Sequence, residues 1–220
     1  MARMPRLVVP GLPHHVTQRG NRRMKTFFCP EDYVAYLDLV VEFREMAGVE
    51  LWAYCLMPNH VHLEIVPASK DSLAIFFRHV HRLYTREINL RERWTGHLWQ
   101  ERYHSFVMDE KHLLATVRYT ELNPVRARLC RHAEDWPWSS VHAHLAGEDD
   151  AVVSVEPMLR RVPTWSNYLS QGSTEMELEE IRSYARSGRP AGTESFLRNL
   201  QAITGKQFVK RKPGPKPTIR

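Results

Sequence analysis

Two β-rich runs with three residues between them constrain this chain more than any other feature. They are residues 50–56 (ELWAYCL) and 60–66 (HVHLEIV), joined by Met57-Pro58-Asn59. Aromatic and branched residues favour a pleated strand, and the short polar link favours a hairpin. In the second run Val61, Leu63 and Ile65 alternate with His60, His62 and Glu64. Successive strand residues point to opposite faces, so one face is apolar and the other carries two imidazoles and a carboxylate. The apolar face suits packing against helices, and the polar face is expected to lie open to substrate.

The segments around this hairpin supply the rest of a layered fold. Residues 14–18 (HHVTQ) read as a short strand ended by the turn Arg19-Gly20-Asn21. Pro30, Glu31 and Asp32 mark a helix start, and Val34, Leu37, Val40, Val41 and Met46 keep helical spacing up to Gly48, a C-terminal cap. Leu73, Phe76, Phe77, Val80, Tyr84 and Ile88 define a second amphipathic helix over 72–90. A strand over 103–108 follows, then a third helix over 110–123 stopped by Pro124. The order predicts an α+β fold: a ferredoxin-like βαββαβ antiparallel sheet with two helices on one face, plus an extra helix and a C-terminal extension. Residues 1–145 are expected to form the main domain. Residues 145–180 hold eight acids and two bases and turn-like pieces such as VPTWSN and SQGSTE, so 146–205 reads as a poorly patterned extension with a small helix over 194–204. Residues 206–220, rich in Lys, Arg and Pro, read as a disordered tail.

Charge and cysteine usage narrow the function. The net charge is +6, yet residues 1–30 carry six bases and no acid, and residues 206–220 carry another six bases and no acid. The stretch between holds 19 bases against 25 acids. Basic arms on a body of opposite balance point to a polyanionic partner. Three scattered cysteines suit a reduced, cytoplasmic and nucleoid-associated setting, and no apolar run reaches the length of a membrane span.

Three His-x-His triplets occur, and geometry separates them. His60 and His62 lie in a predicted strand, where i and i+2 share a face and two imidazoles can hold one metal ion. His79/His81 and His142/His144 lie in predicted helices, where i and i+2 diverge by about 200°. Tyr119 and Asn123 fall four apart near the end of the third helix, so the phenol and amide share a face, with Arg118, Arg126 and Arg128 around them. The basic segment holding Arg19, Arg22 and Arg23 is suited to nucleic-acid backbone contacts, and Arg78, Arg82 and Arg86 form a further stripe at i+4.

At these residues a family resemblance emerges. The runs His15-Val16-Thr17-Gln18-Arg19-Gly20-Asn21-Arg22-Arg23, Met57-Pro58-Asn59-His60-Val61-His62-Leu63 and Arg118-Tyr119-Thr120-Glu121-Leu122-Asn123-Pro124-Val125-Arg126-Ala127 resemble REP-associated tyrosine transposases, relatives of the single-tyrosine HUH transposases of insertion sequences. Trp136-Pro137-Trp138-Ser139-Ser140 and Gly188-Arg189-Pro190 share the likeness, which covers nearly the whole chain in order. The resemblance implies His60 and His62 as metal ligands, Asn123 as the third protein ligand and Tyr119 as nucleophile. Some relatives carry Gln where this chain has Asn123; both offer a neutral amide oxygen. It also implies single-stranded DNA hairpins as substrate; Arg19, Arg22, Arg23, Arg118 and Arg126 are the candidate nucleic-acid contacts, and a monomer or homodimer is expected.

The chemistry follows. A tyrosine with a pKa of about 10 is ionised roughly one time in a thousand at neutral pH, so a divalent cation, Mg²⁺ or Mn²⁺, is expected to polarise the scissile phosphate. Imidazole ligands suit Mn²⁺ better than Mg²⁺. A 5′-phosphotyrosine link would conserve bond energy and make a nucleotide cofactor unnecessary. Two other readings stay open: a zinc-dependent hydrolase using His60, His62 and Cys55, and a DNA-binding regulator without catalysis.

Overall fold

A computed structural model describes residues 6–208, so the tail from 209 onward lies outside the described residues. The strands are β1 (His14–Arg19), β2 (Val49–Met57), β3 (His60–Pro67) and β4 (His104–Val107). The helices are α1 (Pro30–Ala47), α2 (Ser72–Glu92), α3 (Glu110–Glu121), α4 (Asn123–Arg126), α5 (Val141–Ala146), α6 (Glu156–Leu159), α7 (Trp165–Ser170), α8 (Glu175–Ser187) and α9 (Glu194–Thr204). The first six elements follow the expected order β1-α1-β2-β3-α2-β4. They form a four-stranded sheet ordered β2-β3-β1-β4 in which every neighbouring pair is antiparallel.

Local chemistry fixes the helix ends. Pro30 opens α1, and the Asp32 carboxylate accepts from the backbone N–H of Phe28 (2.7 Å) and Cys29 (3.3 Å), groups that the first turn leaves without helical partners. Arg91 of α2 reaches the same carboxylate through Nη1 and, at 3.1 Å, through Nη2, and so clamps the two helices. Gly48 ends α1 at φ +61°, the left-handed conformation that glycine adopts without a Cβ penalty.

The register sorts the strand residues by face. Arg19 lies opposite His60, Thr17 opposite His62, and His15 opposite Glu64. Directly paired residues share a face, so His15, Thr17 and Arg19 join the two strand histidines. On the other face Val16, Leu51, Val61, Leu63 and Ile65 pack with Tyr36 and Val40 of α1 and Leu73, Phe76, Val80, Tyr84 and Ile88 of α2. Each such aliphatic side chain removed from water contributes about 1.5–3 kcal/mol, and this is the main core.

The polar face is partly covered rather than left fully open: α1 and α2 take the apolar face as expected, and the extra helix and the extension lie on the other. A second core joins Ala53 and Phe106 of the sheet to Leu113 and Val117 of α3, Met158 of α6, Trp165 of α7 and Ile181 of α8. A register shift between Leu51 and Ala53 turns Ala53 toward that face, as a bulge does. Glu121 fastens the layer: its Oε1 accepts from Ser140 Oγ and His144 Nδ1, both at 2.6 Å, and its Oε2 accepts from Trp165 Nε1 at 2.7 Å.

The third helix also departs from the sequence reading. It ends at Glu121, with Leu122 at φ −84°, ψ 0°, and the chain re-enters a helical turn at Asn123. Pro124 has no N–H to continue the ladder, so Tyr119 and Asn123 sit on consecutive helices rather than on one continuous face.

Candidate active site

Alternation in β1 and β3, together with the covering helices, creates a cleft of about 440 Å³. Its walls include His15, Gln18, Arg19 and Arg23 from the β1 end, His60 and His62 from β3, Tyr119 from α3, and Ile181, Arg182, Ala185 and Arg186 from α8. The His60 and His62 ring centroids are 4.9 Å apart, and the Tyr119 ring stands edge-on to His62 at 5.7 Å. The strand argument therefore brings these three residues together.

Both histidines are held neutral. Burial, reinforced by the Arg19 charge, pushes His60 down to about 3. Burial pushes His62 well below its usual value, and His60, His15, Arg126 and Arg19 add to the effect. The His60 Nδ1 lies 2.6 Å from Asn59 Oδ1, an acceptor, so Nδ1 carries the proton and Nε2 the lone pair. His62 Nδ1 lies 3.2 Å from His15 Nε2, and His15 Nδ1 lies 2.7 Å from Glu64 Oε1. His62 Nε2 is buried without a hydrogen-bond partner among the described residues.

The arginines divide. Arg19 and Arg23 line the cleft, and Arg22 sits beside them on the exposed turn Asn21–Arg23. Arg22 and Arg23 have φ of 52° and 62°, conformations costly for side-chain-bearing residues and often found where function demands them. The Arg126 guanidinium lies 4.0 Å from the Tyr119 ring centroid and donates to the Tyr119 carbonyl oxygen at 2.8 Å. It therefore satisfies a carbonyl that the helix break frees and braces the tyrosine. Arg118 does not line the cleft: it is buried, pairs with Glu177 Oε1 at 3.1 Å and lies 4.6 Å from the Tyr168 ring centroid. Its place is a tie between α3, α7 and α8.

Asn123 is likewise outside the cleft lining. Its Oδ1 accepts from Arg126 Nη2 at 3.1 Å, while its Nδ2 is buried without a partner among the described residues. The helical His-x-His pairs separate as geometry requires. His79 turns to Ile75 O (2.9 Å) and His81 to Tyr36 Oη (3.1 Å); His142 turns to Trp136 O (3.2 Å) and His144 to Glu121 (2.6 Å). Cys55 is fully buried, and burial, with a smaller effect of the Glu121 charge, pushes its thiol well up, which disfavours a zinc-binding thiolate.

Sequence reasoning missed two contributions. His15 and Glu64 appear within recognised runs, yet their contact depends on strand register; alternation in β1 was the available signal for His15. The α8 residues were hidden in a stretch read as unpatterned. Thr174 and Glu177 form a capping box there, and that spacing was the signal for the helix.

The cleft thus sets a neutral imidazole pair on a strand beside a helix-borne tyrosine among basic residues, and comparison with known proteins identifies the family of the chain. A family model described as "Transposase IS200 like" matches residues 8–123, from just ahead of β1 to Asn123. The chain belongs to the IS200-like transposase family, whose members are enzymes of DNA cleavage and transposition and generally depend on a metal. It is similar to the putative REP-associated tyrosine transposase of Haemophilus influenzae, 28% identical over 149 residues, covering 59% of this chain and 85% of that protein. It is also similar to the REP-associated tyrosine transposase of Escherichia coli, 23% identical over 108 residues, covering 49% of this chain and 63% of that protein. Among solved structures it shares its fold with a REP-associated tyrosine transposase bound to a REP hairpin, with a TM-score of 0.58 and 21% identity, covering 70% of this chain and 92% of that one. No helix among the described residues is long and apolar enough to cross a membrane.

Proposed function

We propose that this protein is a metal-dependent single-strand DNA endonuclease and strand transferase that acts on hairpin-forming repeated palindromes, with Tyr119 as nucleophile. The observation that carries the reading is the Tyr119 ring standing 5.7 Å from His62 in a cleft lined by arginines. The structural relative bound to a REP hairpin supports the substrate class.

The donor set fits a divalent ion. His60 and His62 are neutral, and the Nε2 of His62 has no other partner among the described residues. Among those residues no group of three or more His, Cys, Asp or Glu converges on a metal site, so His60 and His62 are the protein donors that the cleft itself presents. The Asn123 amide, four residues beyond Tyr119, is the further protein ligand of this proposal; its Oδ1 accepts from Arg126 at 3.1 Å outside the cleft lining and would turn toward the ion when one binds. When bound, the ion polarises the scissile phosphate and offsets charge that builds on its oxygens.

The chain's own residues supply the rest. Arg126 holds the Tyr119 ring, and Arg19 and Arg23 neutralise the strand's phosphates at the cleft mouth. The Tyr119 oxygen forms a bond to phosphorus and the bond from phosphorus to the 3′ oxygen breaks. The phenolic proton is lost to solvent and the departing 3′ oxygen takes one up. A 5′-phosphotyrosine and a free 3′-OH result, and a second 3′-OH can reverse the exchange without an external energy source.

Mass spectrometry of the full chain mixed with Mn²⁺ and a single-stranded palindromic hairpin tests this. The expected product is a protein–DNA adduct on Tyr119, lost in Tyr119→Phe while hairpin binding persists. Hairpin binding with no adduct in the wild type would leave a DNA-binding protein, and cutting without an adduct would favour direct hydrolysis.

A further inference from the structure

The buried contacts beside the cleft run in one direction. Glu64 Oε1 accepts the Thr120 hydroxyl at 2.8 Å, so toward His15 Nδ1 (2.7 Å) it is again an acceptor, and His15 Nδ1 carries a proton. A neutral His15 then has its lone pair on Nε2. Among the described residues Nε2 meets His62 Nδ1 at 3.2 Å, which must therefore donate. His62 is left with its lone pair on Nε2, the buried nitrogen with no partner among the described residues. Free imidazole carries no such instruction, and an incorrectly placed proton on Nε2 would block any cation there.

Glu64 and His15 are 0% and 1% exposed. Burying a carboxylate costs energy unless it is bonded; here Oε1 bonds both His15 and the residue that follows the tyrosine, while Oε2 has no partner among the described residues. Glu64 thus joins the His62 end of the site to the helix that presents Tyr119.

We propose that His15 and Glu64 are positioning residues: the chain Glu64–His15–His62 locks His62 as the Nδ1–H tautomer, so that its Nε2 lone pair is available to a divalent ion, while Thr120 keeps Tyr119 in register with it. This rests on the reading of His60 and His62 as metal ligands. Outer-shell partners of metal-bound histidines typically change affinity by about 10- to 100-fold.

The test has two readouts that do not depend on DNA cleavage. Long-range ¹H–¹⁵N correlation spectra of the metal-free full chain, with the His62 signal assigned by its loss in His62→Asn, should show His62 protonated at Nδ1. His15→Phe keeps a ring beside Phe106 and should move that proton to Nε2 in a protein that stays folded by circular dichroism. Mn²⁺ titration followed by the free-ion EPR signal should show affinity about 10- to 100-fold weaker in His15→Phe, with Glu64→Gln, which retains an acceptor, nearer the wild type. Protonation of wild-type His62 at Nε2 would overturn the proposal without any variant. Equal Mn²⁺ affinity in the wild type and His15→Phe would also overturn it and leave the metal reading standing. No Mn²⁺ binding by the wild type would sink the metal reading and the relay together.

Discussion

Histidine shows how far a residue's role can be read before its partners are known. The three His-x-His triplets are alike in sequence, and side-chain periodicity alone separates the strand pair from the helical ones. The structure agrees: His60 and His62 converge at 4.9 Å, whereas His79 turns back to its own helix and stacks on Phe43. Replacing His60 or His62 with Ala should therefore abolish hairpin cleavage at ordinary Mn²⁺ concentrations. His79→Ala should keep cleavage within about twofold and cost about 1 kcal/mol of stability for the lost side-chain bond. Gel-based cleavage assays and denaturant titration of the same preparations check both, and a folded but inactive His79→Ala would sink the periodicity argument. Tyr119 was legible for a similar reason, being close in sequence to its own arginines. Arg118 was not. Its neighbours Glu177 and Gln171 are more than fifty residues away, and nothing local tells a buried tie from a phosphate contact.

At the level of elements, what was legible divides by the range of the forces involved. Strands and helices through residue 121 follow apolar periodicity, proline and caps, which act within a few positions, and their order appears as expected. Two features were not read in full: the place of the helix break, at Leu122 just ahead of Pro124, and the covering of the sheet's polar face by α3 and α8, which depends on distant packing. The second changes the site, because α8 brings Arg182 and Arg186 to the cleft wall. Both arginines pair with exposed Glu179, at 3.9 and 2.5 Å, and such surface pairs contribute little to stability. The double variant Arg182→Ala/Arg186→Ala should thus melt like the wild type yet bind every hairpin sequence more weakly. If each arginine meets one phosphate of a single strand, the slope of log affinity against log salt should become shallower by about 0.7 per contact. Fluorescence anisotropy across a salt series measures it, and an unchanged slope would remove α8 from the DNA surface.

For the whole molecule, roofing both faces of one sheet has a cost in acid. Layers on each side keep histidines dry, and a dry imidazole resists its proton. His14, 0% exposed, is pushed by burial down to about 4; it accepts from Val9 N at 3.1 Å and donates to Leu12 O at 2.8 Å, a pattern only the neutral ring satisfies. Burial takes His81, whose ring lies 4.6 Å from that of Trp99, and His60 each to about 3. These folded-state values lie below the unfolded value of about 6.5. Above pH 6.5 neither state binds the protons and stability is at its full value. Below it the unfolded chain takes up protons that the folded one refuses, so stability falls with pH until the folded values are passed near 4 and 3. Each such histidine contributes a slope approaching about 1.4 kcal/mol per pH unit, and the four, His62 included, together about 5.5. Against a total of roughly 5–15 kcal/mol, that is enough to bring the metal-free protein close to unfolding near pH 5. Urea titrations of metal-free protein at pH 7.5, 6.5, 5.5 and 4.5 should show midpoints that hold between the first two and then drop steeply. His81→Phe, which keeps an aromatic ring beside Trp99 and loses one of four titrating groups, should lessen the drop by about a quarter. A midpoint that stays level from pH 6.5 to 4.5 would mean that these rings are not held neutral by the two layers.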